Sequence, residues 1–297
     1  MKRFLTDILL TLLLAVLIVL PVEVWLAQEP SALARQYDYL ENNPSDIKTL
    51  ILGHSQTAAG LDARELGDSA INLSYSGRII YFDRLILEKY INRMDNLRTV
   101  VYPMHYSFSG AMRFFAGGGG KSSFLYDYRH QMHLFPWRYA AEGLLSYSQF
   151  LSGLVGINQL DFGEKQSPSV KKEETYGFAP LTGHADWRNE YDLIQTRQDD
   201  FEEDLMALAR LCAERDVRFV VIVCPFTDEA LAKVTEAGLQ NMQGVVDRTQ
   251  MNYPVEYHNY LADEQFRHDT ALFYDWSHLN SEGAKVFTQR VKEDLGL

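Results

Sequence analysis

The sequence predicts an α/β domain of three layers, in which helices cover both faces of a parallel sheet of about five strands. Short, almost continuously apolar segments, typical of strands buried on both faces, alternate along the chain with segments of helical periodicity. The chain has 297 residues, of which 46% are hydrophobic and 23% are charged, so it can bury a sizeable core. Together these observations favour one folded α/β domain without internal repeats.

The strands are predicted from apolar runs and the helices from apolar periodicity. The strand candidates are residues 47–53, 69–74, 99–103, 218–224 and 271–274. The clearest helix candidates are residues 79–94, 200–215 and 281–295, where apolar side chains recur at helical spacing. Because helical segments separate the strands, we expect parallel strands joined by crossovers.

The N-terminal segment is apolar enough to cross a membrane. Residues 4–27 are mostly apolar and reach the length of about 20 residues that a bilayer requires. Lys2 and Arg3 should stay in the cytoplasm, which places the rest of the chain outside, in the periplasm or the extracellular space. Residues 1–27 are therefore predicted to be a single-pass transmembrane anchor, although Ala32-Leu33-Ala34 leaves a cleaved signal peptide open.

Residues 28–46 are expected to form a polar stalk, and residues 47–297 the α/β domain. Within that domain, residues 105–198 are too numerous for a loop between a strand and a helix. We expect them to be an insertion over the carboxyl ends of the strands, where ligands bind in open α/β sheets. The glycine run at 117–120 is interpreted as a hinge, because no P-loop pattern surrounds it.

Composition excludes several classes of function. A formal net charge of −12 without a basic stripe argues against binding to nucleic acid. The two cysteines, Cys212 and Cys224, are interpreted as buried thiols. His130 and His133 have the spacing of metal ligands on a helix, but no cysteine or carboxylate lies close by in the sequence. Neither a metal nor a cofactor is therefore expected.

Ser55 is the first candidate catalytic residue. It follows directly on a predicted strand that ends in glycine, Gly53-His54-Ser55, where its hydroxyl would emerge at the top of the sheet. Glycine relieves crowding in such a turn, and the next backbone amides can face an oxyanion. The alternative interpretation is a serine that only caps a helix.

Asp275 and His278 are the second candidate element, just before the last predicted helix. An aspartate three residues before a histidine can bond the imidazole Nδ1 and leave Nε2 free to take a proton from a serine. A lone surface histidine is the alternative. The two elements together predict a catalytic triad of Ser55, His278 and Asp275.

These residues resemble the SGNH, or GDSL-type, hydrolase family. Gly53-His54-Ser55 stands where that family has Gly-Asp-Ser, and Asp275-Trp276-Ser277-His278 stands at its Asp-x-x-His block. Asn72-Leu73-Ser74-Tyr75-Ser76-Gly77 is similar to its second block, whose glycine amide helps to form the oxyanion hole. The resemblance covers residues 47–104 and 200–295. It implies a flavodoxin-like fold, and an oxyanion hole that includes the amides of Ser55 and Gly77.

The chain departs from the family pattern at two places. His54 replaces the usual aspartate before the serine. The third block, Gly-x-Asn-Asp, is missing after the third strand, so the side-chain amide that completes the oxyanion hole is unassigned. His105, Tyr106 and Ser107 are the candidates to replace it, as is a partner protein.

The N-terminal anchor and the divergent third block are similar to a membrane-anchored subgroup, which includes glycan O-acetylation proteins and the D-alanyl transfer protein of teichoic-acid synthesis. The resemblance implies an esterase or acyltransferase that acts on O-acyl groups of a cell-envelope polysaccharide. It also implies a membrane-bound O-acyltransferase as partner. A thioesterase or lipid-directed esterase remains open. So does a catalytically decayed domain that binds glycan or serves as a scaffold in an acylation complex.

Overall fold

The computed structural model describes residues 2–27, 32–67, 69–106, 132–135, 137–139, 181–183 and 199–297. They belong to two compact units. The first contains the described residues up to 37 and those between 132 and 139. The second contains the described residues from 38 to 106 and from 181 to 297. The predicted insertion at 105–198 lies almost entirely outside the described residues.

The second unit is built on a parallel sheet of five strands, in the order β2-β1-β3-β4-β5. The strands are β1 (Thr49–Ile51), β2 (Ala70–Asn72), β3 (Thr99–Pro103), β4 (Arg218–Val223) and β5 (Glu256–Asn259). This confirms the predicted fold class, and the order is that of flavodoxin-like sheets. The chain reverses its direction across the sheet between β1 and β3. In such folds ligands bind at this switch point, beyond the carboxyl ends of the strands.

The fifth strand was predicted at the wrong place. Residues 271–274 instead contribute to a 3₁₀ turn (Thr270–Leu272) and to a single bridge between Phe273 and Leu279. The actual edge strand, β5, has the sequence Glu-Tyr-His-Asn and is only half buried. A polar strand at a sheet edge lacks the apolar run that identified the other four.

The helices are α1 (Lys2–Ala27), α2 (Ala32–Asn42), α3 (Ser55–Gly60), α4 (Ala63–Leu66), α5 (Ile80–Tyr90), α6 (Asp199–Ala213), α7 (Asp228–Leu231), α8 (Glu236–Gln250), α9 (Glu264–Arg267) and α10 (Ser281–Leu295). Short 3₁₀ helices lie at Pro44–Asp46, Ile91–Arg93 and Trp137–Tyr139. Helices α5, α6 and α10 fall where the periodicity predicted them.

Helices cover the sheet on both faces because the central strands β1, β3 and β4 are apolar at almost every position. On one face, Ile51 and Val101 belong to a buried cluster with Phe287 and Val291 of α10. The alternate residues of the strands, such as Val100, are equally buried and point to the other face. There α6 packs against β4 and against α5. The arrangement is the predicted three-layer sandwich.

Helix α1 contains a segment, Arg3–Pro21, of 19 residues with a mean hydropathy of 2.5, long and apolar enough to cross a membrane. A signal sequence near the N-terminus would have the same length and apolar composition. The predicted stalk, 28–46, contains the helix α2. At its end Leu40 is fully buried, and Glu41 accepts hydrogen bonds from Tyr90 and Arg93, each 2.8 Å long. This part of the segment is packed on the domain and is not a free linker.

Candidate active site

Ser55 is the first residue of α3, and the turn that precedes it requires glycine. Gly53 has φ +115°, and a Cβ at this position would lie 2.2 Å from Cγ of Pro103. The N–H of Gly53 donates to Asp83 Oδ1 (3.2 Å), and its carbonyl accepts from the N–H of Tyr75 (3.0 Å). The backbone two residues before the candidate nucleophile is therefore held on both sides.

Gly53→Ala should destabilise the fold by about 3 kcal/mol or more, because backbone strain and overpacking each cost about 1–3 kcal/mol. The measurement is thermal or urea unfolding of the full chain in detergent. Gly67→Ala is the matched control, since Gly67 also has a positive φ (+145°) but no described atom within 4 Å of an added Cβ. Gly67→Ala should lower the free energy of unfolding only by the contribution of backbone strain. Equal losses in the two variants would contradict the steric argument.

His278 is held in place by Asp275, which also shapes the loop before α10. Oδ1 of Asp275 accepts from the N–H of Ser277 (2.9 Å) and the N–H of His278 (2.8 Å). Asn280 caps α10 by accepting from the N–H groups of Glu282 and Gly283. The side-chain amide of Asn280 also donates to the carbonyls of residues 271 and 273, which fixes the loop from the other side.

The fold brings the two ends of the domain together at the carboxyl edge of β1. Nε2 of His278 lies 2.8 Å from Ser55 Oγ, and its Nδ1 lies 2.8 Å from Asp275 Oδ2. A carboxylate only accepts hydrogen bonds, so Nδ1 carries the proton and Nε2 is left to accept from the serine hydroxyl. This is the arrangement that activates a serine for nucleophilic attack.

The charge states around Ser55 follow from burial and from neighbours. Burial disfavours the carboxylate of Asp275, but the hydrogen bonds and charge of His278 outweigh it and lower the pKa of Asp275. Burial, and to a smaller extent the nearby His105 and His278, lowers the pKa of His54 well below 6.5. At neutral pH the site therefore holds an ionised Asp275 and an uncharged His54.

Gly77 lies in a turn that is hydrogen-bonded to the turn before Ser55. It has φ +75°, and the turn closes with a hydrogen bond from the N–H of Arg78 to the carbonyl of Tyr75 (3.0 Å). Tyr75 in turn donates its own N–H to the carbonyl of Gly53. The second block and the turn before Ser55 thus form one hydrogen-bonded unit, in which the amides of Ser55 and Gly77 are the candidate oxyanion donors.

The residues proposed to replace the third block have different surroundings. The Tyr106 hydroxyl accepts from the N–H of Thr235 (2.6 Å) and lies 3.2 Å from its Oγ1, at the N-terminus of α8. These contacts engage the Tyr106 hydroxyl at the N-terminus of α8, and the assignment of Tyr106 as an oxyanion donor stays a prediction. The ring of His105 lies beside the ring of His54, 5.5 Å between centroids. Ser107 lies outside the described residues.

A row of side-chain rings in contact runs from His54 across the end of the sheet. His105 contacts Phe226 (5.9 Å between centroids), and Phe226 contacts Trp276 at 5.7 Å, in an edge-to-face arrangement. This row begins next to Ser55 and ends next to Asp275.

Two further residues, which the sequence did not indicate, hold α3 in its position. Gln56, almost fully buried, donates its side-chain amide to the carbonyl of Ser277 (3.0 Å), which ties α3 to the histidine loop. Asn72 donates to the carbonyls of Thr57 and Leu61, both at 2.8 Å, which ties α3 to β2. Asn72 belongs to the second block, in which the family resemblance assigns a role to the glycine.

His133, Cys212 and Cys224 lie in the part of the chain that the structure describes. It contains no group of three or more His, Cys, Asp or Glu side chains arranged to hold a metal ion. His130 lies outside the described residues. Cys212 and Cys224 are buried and unbridged, and burial raises the pKa of each thiol to about 12, which keeps both unreactive.

No protein-family model and no curated protein matches the sequence. Solved structures of similar fold include a GDSL-like lipase from Bacteroides thetaiotaomicron, 11% identical, with a TM-score of 0.42 over 89% of this chain and 98% of that one. A catalytic mutant of an acetylxylan esterase from Geobacillus stearothermophilus is 11% identical, with a TM-score of 0.41 over 85% and 95%. A family two carbohydrate esterase from Clostridium thermocellum is 10% identical, with a TM-score of 0.40 over 85% and 64%. These likenesses concern the fold alone.

Proposed function

We propose that the chain is an SGNH-type serine esterase or acyltransferase, which acts on O-acyl groups of a cell-envelope polysaccharide through an acyl-Ser55 intermediate. The observation that carries the proposal is the line of two 2.8 Å contacts from Asp275 through His278 to Ser55. A serine hydroxyl is a weak nucleophile unless an adjacent base takes its proton. The base in turn needs a third group to orient it, and all three roles are filled here.

In the first half of the reaction, Ser55 Oγ forms a bond to the acyl carbon of the donor as His278 Nε2 takes the hydroxyl proton. The carbonyl electron pair moves to its oxygen, and the amides of Ser55 and Gly77 are the proposed donors to that oxyanion. When the oxyanion collapses, the bond to the donor's alcohol oxygen breaks. His278 gives this oxygen the proton, and the acyl group remains on Ser55.

The second half uses the same groups in reverse order. His278 takes a proton from water or from a hydroxyl of the acceptor, whose oxygen attacks the acyl carbon. The bond to Ser55 then breaks, and Ser55 recovers its proton from His278. Water gives a free acid, and a sugar hydroxyl gives a new ester. Esterase and transferase therefore share one intermediate and differ only in the acceptor.

The substrate class and the partner extend the resemblance to membrane-anchored glycan O-acetylation proteins. Helix α1, acting as an anchor, would hold the domain at the cell envelope, outside the cytoplasm. A membrane-bound O-acyltransferase is the proposed source of the acyl group. The missing side-chain donor of the third block should raise the barrier by about 2.7–4 kcal/mol for water and for a sugar hydroxyl alike, because both attack through the same oxyanion.

Labelling with a fluorophosphonate tests the proposal most directly. The wild-type protein should form a covalent adduct, which mass spectrometry of the digested protein should locate on the peptide that contains Ser55, and Ser55→Ala should form none. Supplying an activated acetyl ester with an O-deacetylated polysaccharide then separates transfer from hydrolysis by the product formed. A folded wild-type protein that takes up no label would favour the decayed, glycan-binding domain instead.

A further inference from the structure

A fully buried ion pair lies directly behind the turn that precedes Ser55. Arg78 follows Gly77 in the chain, and Asp83 lies in the first turn of α5. Both side chains are 0% exposed, and Arg78 Nη1 lies 3.3 Å from Asp83 Oδ1. Replacing such a pair by apolar residues is often neutral or stabilising, so stability alone gives little reason for it.

The contacts of the pair join the two turns that carry the candidate oxyanion donors. Asp83 Oδ1 accepts the N–H of Gly53 (3.2 Å), in the turn before Ser55. Arg78 Nη1 donates to the carbonyl of Leu73, in the segment that leads into the Gly77 turn. The pair therefore fixes the first turn through a carboxylate and the second through a guanidinium.

We propose that Asp83 and Arg78 are positioning residues, which hold the amides of Ser55 and Gly77 at the orientation needed to bind the oxyanion. This inference rests on the proposed function. Gly53 has a positive φ, and the rotation of its peptide determines where the following residues point. The bond to Asp83 fixes that rotation before substrate arrives, so the oxyanion donors need no reorganisation during the reaction.

The raised pKa of Asp83 also indicates that the ion pair has a role other than stability. Burial raises the pKa of Asp83 to about 6, against the opposing effects of Arg78 and of the Gly53 N–H. Its charge also reaches Tyr102 of β3, where Asp83 helps burial to raise the pKa of the hydroxyl. Because the pKa is raised above the ordinary 3.8, the stability contributed by this group is greatest below pH 3.8 and is lost as the pH rises through about 6. At neutral pH the ionised form thus persists although it is unfavourable for folding.

Two charge-free variants of the full chain separate the hydrogen bond from the charge. R78M/D83L removes the pair and the acceptor for Gly53, whereas R78M/D83N keeps an acceptor oxygen near the Gly53 N–H. The control is R84M/D204N, which removes a second, partly buried ion pair from the α5–α6 contact. This pair is 2.8 Å long, with Arg84 20% and Asp204 1% exposed. The measurements are kcat and KM for p-nitrophenyl acetate, fluorophosphonate labelling and the unfolding temperature.

We expect kcat of R78M/D83L to fall on the order of 10- to 100-fold, the effect of slightly misplacing catalytic groups, with KM within about twofold of the wild type. R78M/D83N should recover part of that loss, and R84M/D204N should keep the wild-type kcat. If R78M/D83L lowers kcat no more than R84M/D204N does, the positioning role is overturned. If the neutral variants do not fold, Arg78→Lys keeps both charges and withdraws the planar guanidinium. It should lower kcat about tenfold, and an unchanged kcat would overturn the role of the pair.

The same experiment distinguishes failure of this inference from failure of the proposed function. A wild-type protein that takes up label on Ser55, together with an unaffected R78M/D83L, rejects the positioning role alone. A folded wild-type protein that takes up no label rejects the catalytic function, and the positioning role with it.

Discussion

Replacing either Ser55 or His278 by alanine should abolish turnover of p-nitrophenyl acetate, with kcat reduced by up to about 10⁶-fold in each case. Ser55→Ala removes the atom to which the acyl group is attached. His278→Ala removes the base, since Nε2 lies 2.8 Å from Ser55 Oγ. Because the two residues act as a unit, the double variant should be hardly worse than either single one. Steady-state kinetics and mass spectrometry of the acetylated protein measure this.

His258→Ala is the matched control for His278→Ala. Both histidines are 25% exposed and each contacts a carboxylate, but His258 lies on the edge strand β5 and contacts Glu256. The control should keep the wild-type kcat. Losses that add in the double variant would show that the two residues do not act as a unit. An acyl adduct that still forms in Ser55→Ala would show that the nucleophile lies elsewhere.

The fold could be predicted because its buried strands are short, almost continuously apolar segments of the sequence. β1, β3 and β4 are fully or almost fully buried and apolar on both faces, and only a parallel sheet covered by two layers accommodates such strands. The edge strand β5 is polar and half buried, and its position depends on the neighbour β4. Whether such a segment forms a strand depends on its pairing with a neighbour, and no local sequence pattern shows that pairing.

The triad residues could be named from the sequence because each belongs to a short local pattern next to a predictable element. Ser55 follows a buried strand, and His278 precedes a capped helix. Gln56, Asn72 and Asp83 could not be found in this way, because their partners are backbone groups brought near by the fold. The bond from Gln56 to Ser277 joins residues 221 positions apart, and no spacing rule predicts it.

Asp275→Asn should lower kcat about 10⁴-fold, because the substitution favours the wrong tautomer of His278. Oδ1 of Asp275 already accepts two backbone N–H groups, those of Ser277 and His278. The asparagine oxygen must stay there to keep these bonds, which puts its NH₂ group where Oδ2 now faces His278 Nδ1 at 2.8 Å. Two donors cannot face each other, so the imidazole proton moves to Nε2, and the ring can no longer accept the proton of Ser55.

The same variant should lower the unfolding temperature at neutral pH. The pKa of Asp275 in the folded protein lies below the ordinary 3.8, so its ionised form contributes stability above pH 3.8, and this contribution is lost as the pH falls through the folded value. The difference in unfolding temperature between wild type and Asp275→Asn should therefore shrink in acid. Asp228→Asn, which alters an aspartate 2.6 Å from His268 on the surface, is the control and should leave kcat unchanged. An Asp275→Asn protein within tenfold of the wild-type kcat would mean that the backbone alone orients the ring, and that Asp275 does not select the tautomer.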